Sequence, residues 1–450
     1  RSSDRGVTFE RLDFPYGSSI FGNDGGGGGA GRRTRGERIE VSPFDSDEMI
    51  VGLIYNPMGV HKTTDGGQNW TRCNLQGPVT AVFYDRYKEG HFYAVVEGRG
   101  IYYTTNGGSS FNRINCNATN VMRIAQGSDG TVYFSNASGN QGMIFKFKDG
   151  AVHDITNGVG RVESDRHTWV VSTGLHGVTV NPFDPRHIVV QGALSSIKFG
   201  RPVPTYESRD GGATWDRFQI TIGEHTPWGG PEEVMLFTVS CIAWDPHDEN
   251  LIHHVDGFGA SQLHLNGNDV VVDQTARGIE ETVNFVHRSI PLPDRELIIT
   301  GCADLAGFVH DQGIDKPPTI VLRLDGMAPK LQSIHCVNYA PSNPKRVHLA
   351  GRDNDNRKTG NIAKYCYRSD DGGFTWSRLP ANPGSALGLA VSATNPDNLV
   401  IVGERCLVST NGGSSFSAAA GLGSLGSHNW MWCKTLVADP VDGNTFYAYQ

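Results

Sequence analysis

The sequence contains no stretch approaching the roughly 18 consecutive apolar residues of a membrane span, and no long helical pattern. It lacks a surplus of positive charge. The 39 basic residues against 47 acidic ones leave a net charge of −8, which argues against nucleic acid as the main partner, because phosphate contacts are made by clustered Lys and Arg. The eight cysteines are too few for a disulfide scaffold and include no Cys-x-x-Cys pair, so zinc-site spacing is missing. No His-Glu-x-x-His occurs, and neither a metal nor a cofactor is expected. Five consecutive glycines (Gly25 to Gly29) lie in the stretch Ser18 to Arg38. No Gly-Lys-Ser/Thr and no helical pattern follow them, so they read as part of a flexible loop and not as a phosphate cradle. The chain opens on Arg1 with no start Met and no signal peptide, and is expected to be processed or a piece of a longer protein.

What is present is an octad that recurs from end to end. Copies are SSDRGVTF from Ser2, TTDGGQNW from Thr63, TTNGGSSF from Thr104, SRDGGATW from Ser208, SDDGGFTW from Ser369 and STNGGSSF from Ser409. Each position has a task in a β-hairpin. The Asp or Asn (Asp4, Asp65, Asn106, Asp210, Asp371, Asn411) accepts hydrogen bonds from its own turn. Glycine supplies the positive φ that Asp-Gly and Asn-Gly turns demand. The Trp or Phe follows on the outgoing strand and packs beneath the turn. These acidic and amide residues are therefore structural and carry no chemistry.

A second repeat lies between octads: an apolar strand, a Pro/Asp/Asn turn, then a β-branched strand. Copies begin at Ile39, Val178, Ile242, Val337, Leu389 and Leu436. Each strand pair plus the following octad hairpin makes one four-stranded blade of about 40 to 50 residues, the period of propellers. FKDGAVHDI around Asp149 and HLNGNDVVV around Asn266 fall where octads belong, and keep the turn but lose the aromatic. With a further blade from Gly278 to about Leu324, the chain holds roughly eight blades and two incomplete ends. Cys73 and Cys116 follow octads one blade apart, which leaves a bridge between them open. Three Asn-x-Ser/Thr patterns, at Asn69, Asn117 and Asn136, are about what random placement gives.

Loops on a rigid β scaffold carry function. The insertion Gln219 to Phe237 places Trp228 among His225, Glu224, Glu232 and Glu233. A solvated loop and a sugar-stacking role both fit it. Trp430 and Trp432, two apart, point to one face if extended and could form a second stacking platform, with a core role open for one of them. His253-His254 lies in a strand, where satisfied or exposed imidazoles outnumber ligands.

The octad is the pattern called the Asp-box, which marks β-propellers such as sialidases, sortilin-like receptors and some endoglucanases. A more specific resemblance lies between Ala276 and Asp311. Gly278-Ile279-Glu280-Glu281-Thr282 is followed, about two dozen residues later, by Ala303-Asp304-Leu305-Ala306-Gly307-Phe308. This resembles the junction of glycoside hydrolase family 74, where Gly-Ile-Glu-Glu-Thr precedes Gly-Asp-Ile/Leu-Gly-Gly-Phe. Gly36-Glu37-Arg38 and the strands leading to Thr63 look like that family's second blade. The resemblance implies an all-β fold of two seven-bladed propellers, of which this chain covers part. Residues 1–277 would hold N-terminal blades, and 278–450 the start of the second propeller.

It further implies a secreted, monomeric, inverting hydrolase of a β-1,4-glucan such as xyloglucan, with the polysaccharide held in a cleft between propellers. Asp304 matches the general acid. The family's partner Asp, the general base, lies in a first blade upstream of Arg1. Two carboxyls about 6.5–9.5 Å apart would leave room for the attacking water. The chain departs from the motif at Ala303 and Ala306, where the family has Gly, and places Cys302 beside them. Two other readings compete. One is a non-catalytic propeller that binds glycans or proteins. The other is a sialidase, which would need an Arg triad and an Arg-Ile-Pro entry; Arg201-Pro202 lacks the Ile.

Overall fold

The computed structural model describes residues 7–10, 14–16, 38–138, 141–159, 174–192, 205–222, 241–255, 260–267, 269–274, 284–302, 306–314, 316, 318–322, 333–352, 364–380, 388–403, 405–421 and 436–448. These residues form strands and turns and no helix, so none of them makes a helix long and apolar enough to cross a membrane. Among them are seven four-stranded sheets, one five-stranded sheet and one two-stranded sheet. In the four-stranded sheets, chain order and spatial order coincide and all neighbours are antiparallel. These are propeller blades. Blades 1 to 5 span 39–72, 79–113, 121–154, 175–217 and 241–274; blades 6 to 8 span 284–321, 333–378 and 388–418; blade 9 has two strands within 436–448. The chain divides into two compact units, with blades 1 to 5 in the first and blades 6 to 9 in the second, the main boundary lying between Thr275 and Ala276.

Burial is high in the inner strands and low in the fourth. In blade 4 every residue of Leu175–Val180 is buried, whereas Asp216–Arg217 is exposed. The fourth strands after octads are all two-residue exposed pairs. Apolar residues on both faces of the inner strands follow from this, because each blade is sandwiched between neighbours. The cores lie between consecutive blades: Ile50 and Val60 of blade 1 pack with Val82 and Phe92 of blade 2, and Ile299 and Val309 of blade 6 with Val337 and Leu349 of blade 7.

The octads behave as their chemistry predicts. In the box of blade 1, the Thr63 hydroxyl donates to Asp65 Oδ1 at 2.7 Å and accepts from Gly67 N–H at 3.1 Å. Asp65 Oδ1 accepts from Asn69 N–H at 2.9 Å, and Trp70 Nε1 donates to the Gly67 carbonyl at 3.0 Å. The boxes at Asp210, Asp371 and Asn411 repeat the hydroxyl and side-chain oxygen bonds to the turn N–H groups. Two contacts beyond the box itself explain its glycines. The first glycine's N–H reaches the turn between the first two strands of the same blade: Gly66 to Asp47 O, Gly107 to Gly90 O, Gly211 to Arg186 O, Gly372 to Lys345 O and Gly412 to Asp397 O, all 2.7–2.9 Å. The second glycine faces the preceding blade. A Cβ on Gly108 would lie 2.5 Å from Cys73 Sγ, and one on Gly212 would lie 2.4 Å from Ile155 Cδ1.

Four expectations change. Blade 5 carries a fifth strand, because Gln219–Ile222, expected at the start of a loop, pairs in parallel with Asp269–Gln274. Cys73 and Cys116 are not bridged; Cys73 instead fills the space under Gly108, and burial raises its thiol to about 11. Asn136 is fully buried, and its Oδ1 accepts the Asn120 N–H at 2.8 Å, so no glycan fits there in the folded protein. His253 is exposed and bonded to Asp245 at 2.8 Å, but His254 is buried with neither ring nitrogen partnered among the described residues.

Candidate active site

Blade topology sorts the chain's connections onto two ends. Turns between strands one and two, and the octad turns between three and four, lie at one end. Connections between strands two and three, and from one blade to the next, leave from the other. Asp304 belongs to the connection between Glu296–Cys302 and Gly307–His310 of blade 6. His225 and Trp228 belong to the connection from Gln219–Ile222 into blade 5, and Trp430 and Trp432 to the one from blade 8 into blade 9. All five side chains lie outside the described residues, as does Asp4.

The frame around Asp304 is described on both sides. Cys302 N–H donates to the Ala306 carbonyl at 2.7 Å, closing the hairpin across residues 303–305. Cys302, Ala306 and Phe308 have no exposed surface. Gly301 pairs with Gly307, and both positions need glycine. A Cβ on Gly307 would stand 2.0 Å from the Thr300 carbonyl, and one on Gly301 would stand 2.6 Å from the Ile334 carbonyl of blade 7. Ala306 bridges in parallel to Ser333, the first residue of blade 7. Its φ is +58°, a left-handed backbone that glycine adopts freely and alanine at a cost of about 1–2 kcal/mol. Glycine, which the family motif has at this position, would adopt this φ without that cost. The Thr300 hydroxyl beneath is buried and finds no hydrogen-bond partner among the described residues.

Electrostatics separate the octad carboxylates from any acid role. Backbone and side-chain N–H groups of Asn69 and the Thr63 hydroxyl hold Asp65 down to about 2. The Thr214 hydroxyl and N–H do the same for Asp210, also about 2. A general acid must hold its proton near neutral pH, and these groups are tuned the opposite way. Among the described residues, no group of three His, Cys, Asp or Glu side chains could hold a metal ion. Sequence reasoning did not use the hairpin closure at Ala306 or the clearance at Gly307. The Ala306-Gly307 pair was its only visible trace.

No family model matches the chain. Along its whole length it is 25% identical to a probable oligoxyloglucan-reducing end-specific xyloglucanase of Neosartorya fischeri, covering 64% of that protein. It is 23% identical, again over its whole length, to a xyloglucanase of a Paenibacillus species, covering 47% of it. The chain therefore spans about half to two thirds of the length of these curated relatives. Among solved structures, 92% of it superposes on 59% of a glycoside hydrolase family 74 enzyme of Niastella koreensis, with a TM-score of 0.72 and 24% identity. The family 74 xyloglucanase of Xanthomonas campestris follows, with a TM-score of 0.68 over 93% of this chain and 69% of that one, at 18% identity. Relatives along the full sequence, a shared blade architecture and the Gly278 to Phe308 motif agree: the chain has the β-propeller fold of glycoside hydrolase family 74 enzymes and is similar in sequence to xyloglucanases.

Proposed function

We propose that this chain is part of a secreted, inverting glycoside hydrolase that cleaves xyloglucan, with Asp304 as the general acid. The two units are read as blades of two seven-bladed rings, and the general base as an Asp on a blade outside this sequence. The observation that supports the reading is the Gly278–Phe308 run, which matches Asp304 to the family's acid, in a chain whose relatives are named xyloglucanases. Aromatic faces at Trp228, Trp430 and Trp432 would stack against sugar rings, and His225 would bond hydroxyls. Asp304 would protonate the leaving oxygen while the partner carboxylate activates a water on the opposite face of the sugar. No metal or cofactor takes part in this chemistry.

A second reading, a glycan-binding propeller without activity, draws support from Ala303 and Ala306 flanking Asp304. The left-handed backbone at Ala306 weighs against it, because it is a conformation that the motif's glycine adopts freely. The deciding experiment uses the complete protein. Asp304→Asn should lower oligosaccharide release from xyloglucan by about 10²–10⁴-fold while retention on immobilised xyloglucan stays unchanged. Undiminished release removes Asp304 from the mechanism. Retention by the wild type with no release at all selects the binding-only reading.

A further inference from the structure

The end of the first unit opposite Asp304's kind of connection is not blank. In blades 1, 2, 4 and 5 the turn between the first two strands is capped by a side-chain oxygen: Ser42 Oγ, Asp85 Oδ1, Asn181 Oδ1 and Asp245 Oδ1. Each accepts the N–H of the residue two positions on, at 3.2, 2.9, 2.8 and 2.8 Å. That second residue is a ring in all four turns: Phe44, Tyr87, Phe183 and His247. The first three are 45%, 52% and 56% exposed, and His247 is exposed as well. The cap bonds only the backbone N–H, so the fold asks for no particular side chain there. A ring half in water contributes little to packing, and single exposed apolar residues are ordinary. Four rings at one structural position on one end are a pattern. The corresponding turns of blades 8 and 9 carry Thr394 and Val441, so the second unit does not share it.

The surroundings narrow the occupant. Five cations at this end of the unit are paired, Lys62 with Glu48 at 2.8 Å, Arg86 with Glu40, Lys148 with Asp129 at 2.7 Å, Arg186 with Asp184 at 3.5 Å and Arg209 with Glu207 at 3.0 Å, and Lys88 is exposed beside Tyr87. A face whose cations are mostly neutralised locally has little to attract a polyanion. The rings stand on separate turns, each followed by a charged residue: exposed Asp45, exposed Lys88 and half-buried Asp184. A surface interrupted by charges in this way differs from the charge-depleted core of a protein–protein interface. Spaced rings on rigid supports, with hydrogen-bonding groups between them, suit an uncharged polymer whose units each offer an apolar face rimmed by hydroxyls.

We propose that Phe44, Tyr87 and Phe183 form a non-catalytic contact surface for a neutral polysaccharide chain on the octad end of the first unit. The identity of that polysaccharide as xyloglucan rests on the function proposed above. The test compares the complete wild-type protein with the triple variant Phe44→Ala, Tyr87→Ala, Phe183→Ala, in native gels containing xyloglucan and in rate measurements on polymer and on a short soluble oligosaccharide. The expected result is retardation weakened at least about tenfold and a raised KM on polymer, with kcat on the oligosaccharide and the melting temperature unchanged. Equal retardation of the two proteins overturns the proposal. So does a dimer, seen by sedimentation in the wild type and lost in the variant, because a second copy would then occupy the face. Should the wild type neither bind nor cleave xyloglucan, the functional reading fails on its own. Gels with galactomannan and mixed-linkage β-glucan then decide the surface, and absence of retardation in both overturns it.

Discussion

Asp371 shows what a single octad acid does. Its Oδ1 accepts from the Ser369 hydroxyl at 2.6 Å, from Phe374 N–H at 3.0 Å and from Thr375 N–H at 2.9 Å, and its Oδ2 takes the Thr375 hydroxyl. Burial works against its charge, but these donors outweigh it and keep the carboxyl below its ordinary value. The role is that of a cap, so charge should matter less than shape. Asn106 and Asn411 already fill the same position in other boxes, with Oδ1 accepting the same N–H at 3.0 and 2.9 Å. Asp371→Asn should therefore cost under about 0.5 kcal/mol and Asp371→Ala about 1–2 kcal/mol in chemical denaturation. Equal losses in the two variants would mean that charge, not capping, is what the box needs. At Gly307 there is no tolerance of that kind. A methyl group would meet the Thr300 carbonyl at 2.0 Å, so Gly307→Ala should open the Asp304 hairpin. It should abolish activity and lower stability by more than about 3 kcal/mol.

At the scale of the blade, one bond recurs beyond any octad. In seven blades, all but the fifth and ninth, the residue after the fourth strand donates its N–H to the third strand: Cys73 to Val60, Ile114 to Ile101, Ile155 to Ile144, Phe218 to Thr205, Leu322 to Gly307, Leu379 to Cys366 and Ala419 to Cys406, at 2.7–3.0 Å. Its side chain then packs into the core shared with the next blade. Leu379 lies against Gly413, where an added Cβ would come within 2.8 Å of its Cδ1. Leu379→Ala should leave a cavity between blades 7 and 8 and cost about 2–5 kcal/mol; a loss below 1 kcal/mol would show that this contact does not join the blades. The signal is present in the sequence, because the third residue after each octad aromatic is apolar (Cys73, Ile114, Phe218, Leu379, Ala419). Octads and strand pairs were legible because their chemistry is local: a cap, a positive φ, a period of two. The strand Gln219–Ile222 was not, because its partner Asp269–Gln274 is about 50 residues away and a parallel pair leaves no turn signature. The site was legible only as a motif. A resemblance names Asp304, but its proton affinity depends on what surrounds residues 303–305, and no local pattern encodes that.

Across the whole chain, acid should be the condition that loosens it, and the histidines say where. His176, His254 and His348 are buried in strands of blades 4, 5 and 7. Burial above all lowers each to about 4, with Arg123 adding to the effect at His176 and Arg368 at His348. The unfolded chain takes up protons on these rings below about pH 6.5 while the folded chain refuses them until about pH 4, so stability rises with pH across that window and is lost as pH falls through it. Each ring contributes roughly 3 kcal/mol at the acid limit, at about 1.36 kcal/mol per unit. Below pH 4 the octad acids Asp65 and Asp210, held at about 2, begin to lose their turn bonds, which adds a second, later phase. The melting temperature measured from pH 7.5 to 4 should fall most steeply below 6.5, and His254→Leu should flatten that fall by one proton's worth. His254 isolates the effect best, since burial alone lowers it and no charged group contributes. A slope identical to wild type in that variant would mean that the ring is already protonated in the folded protein, and that the acid sensitivity comes from other groups.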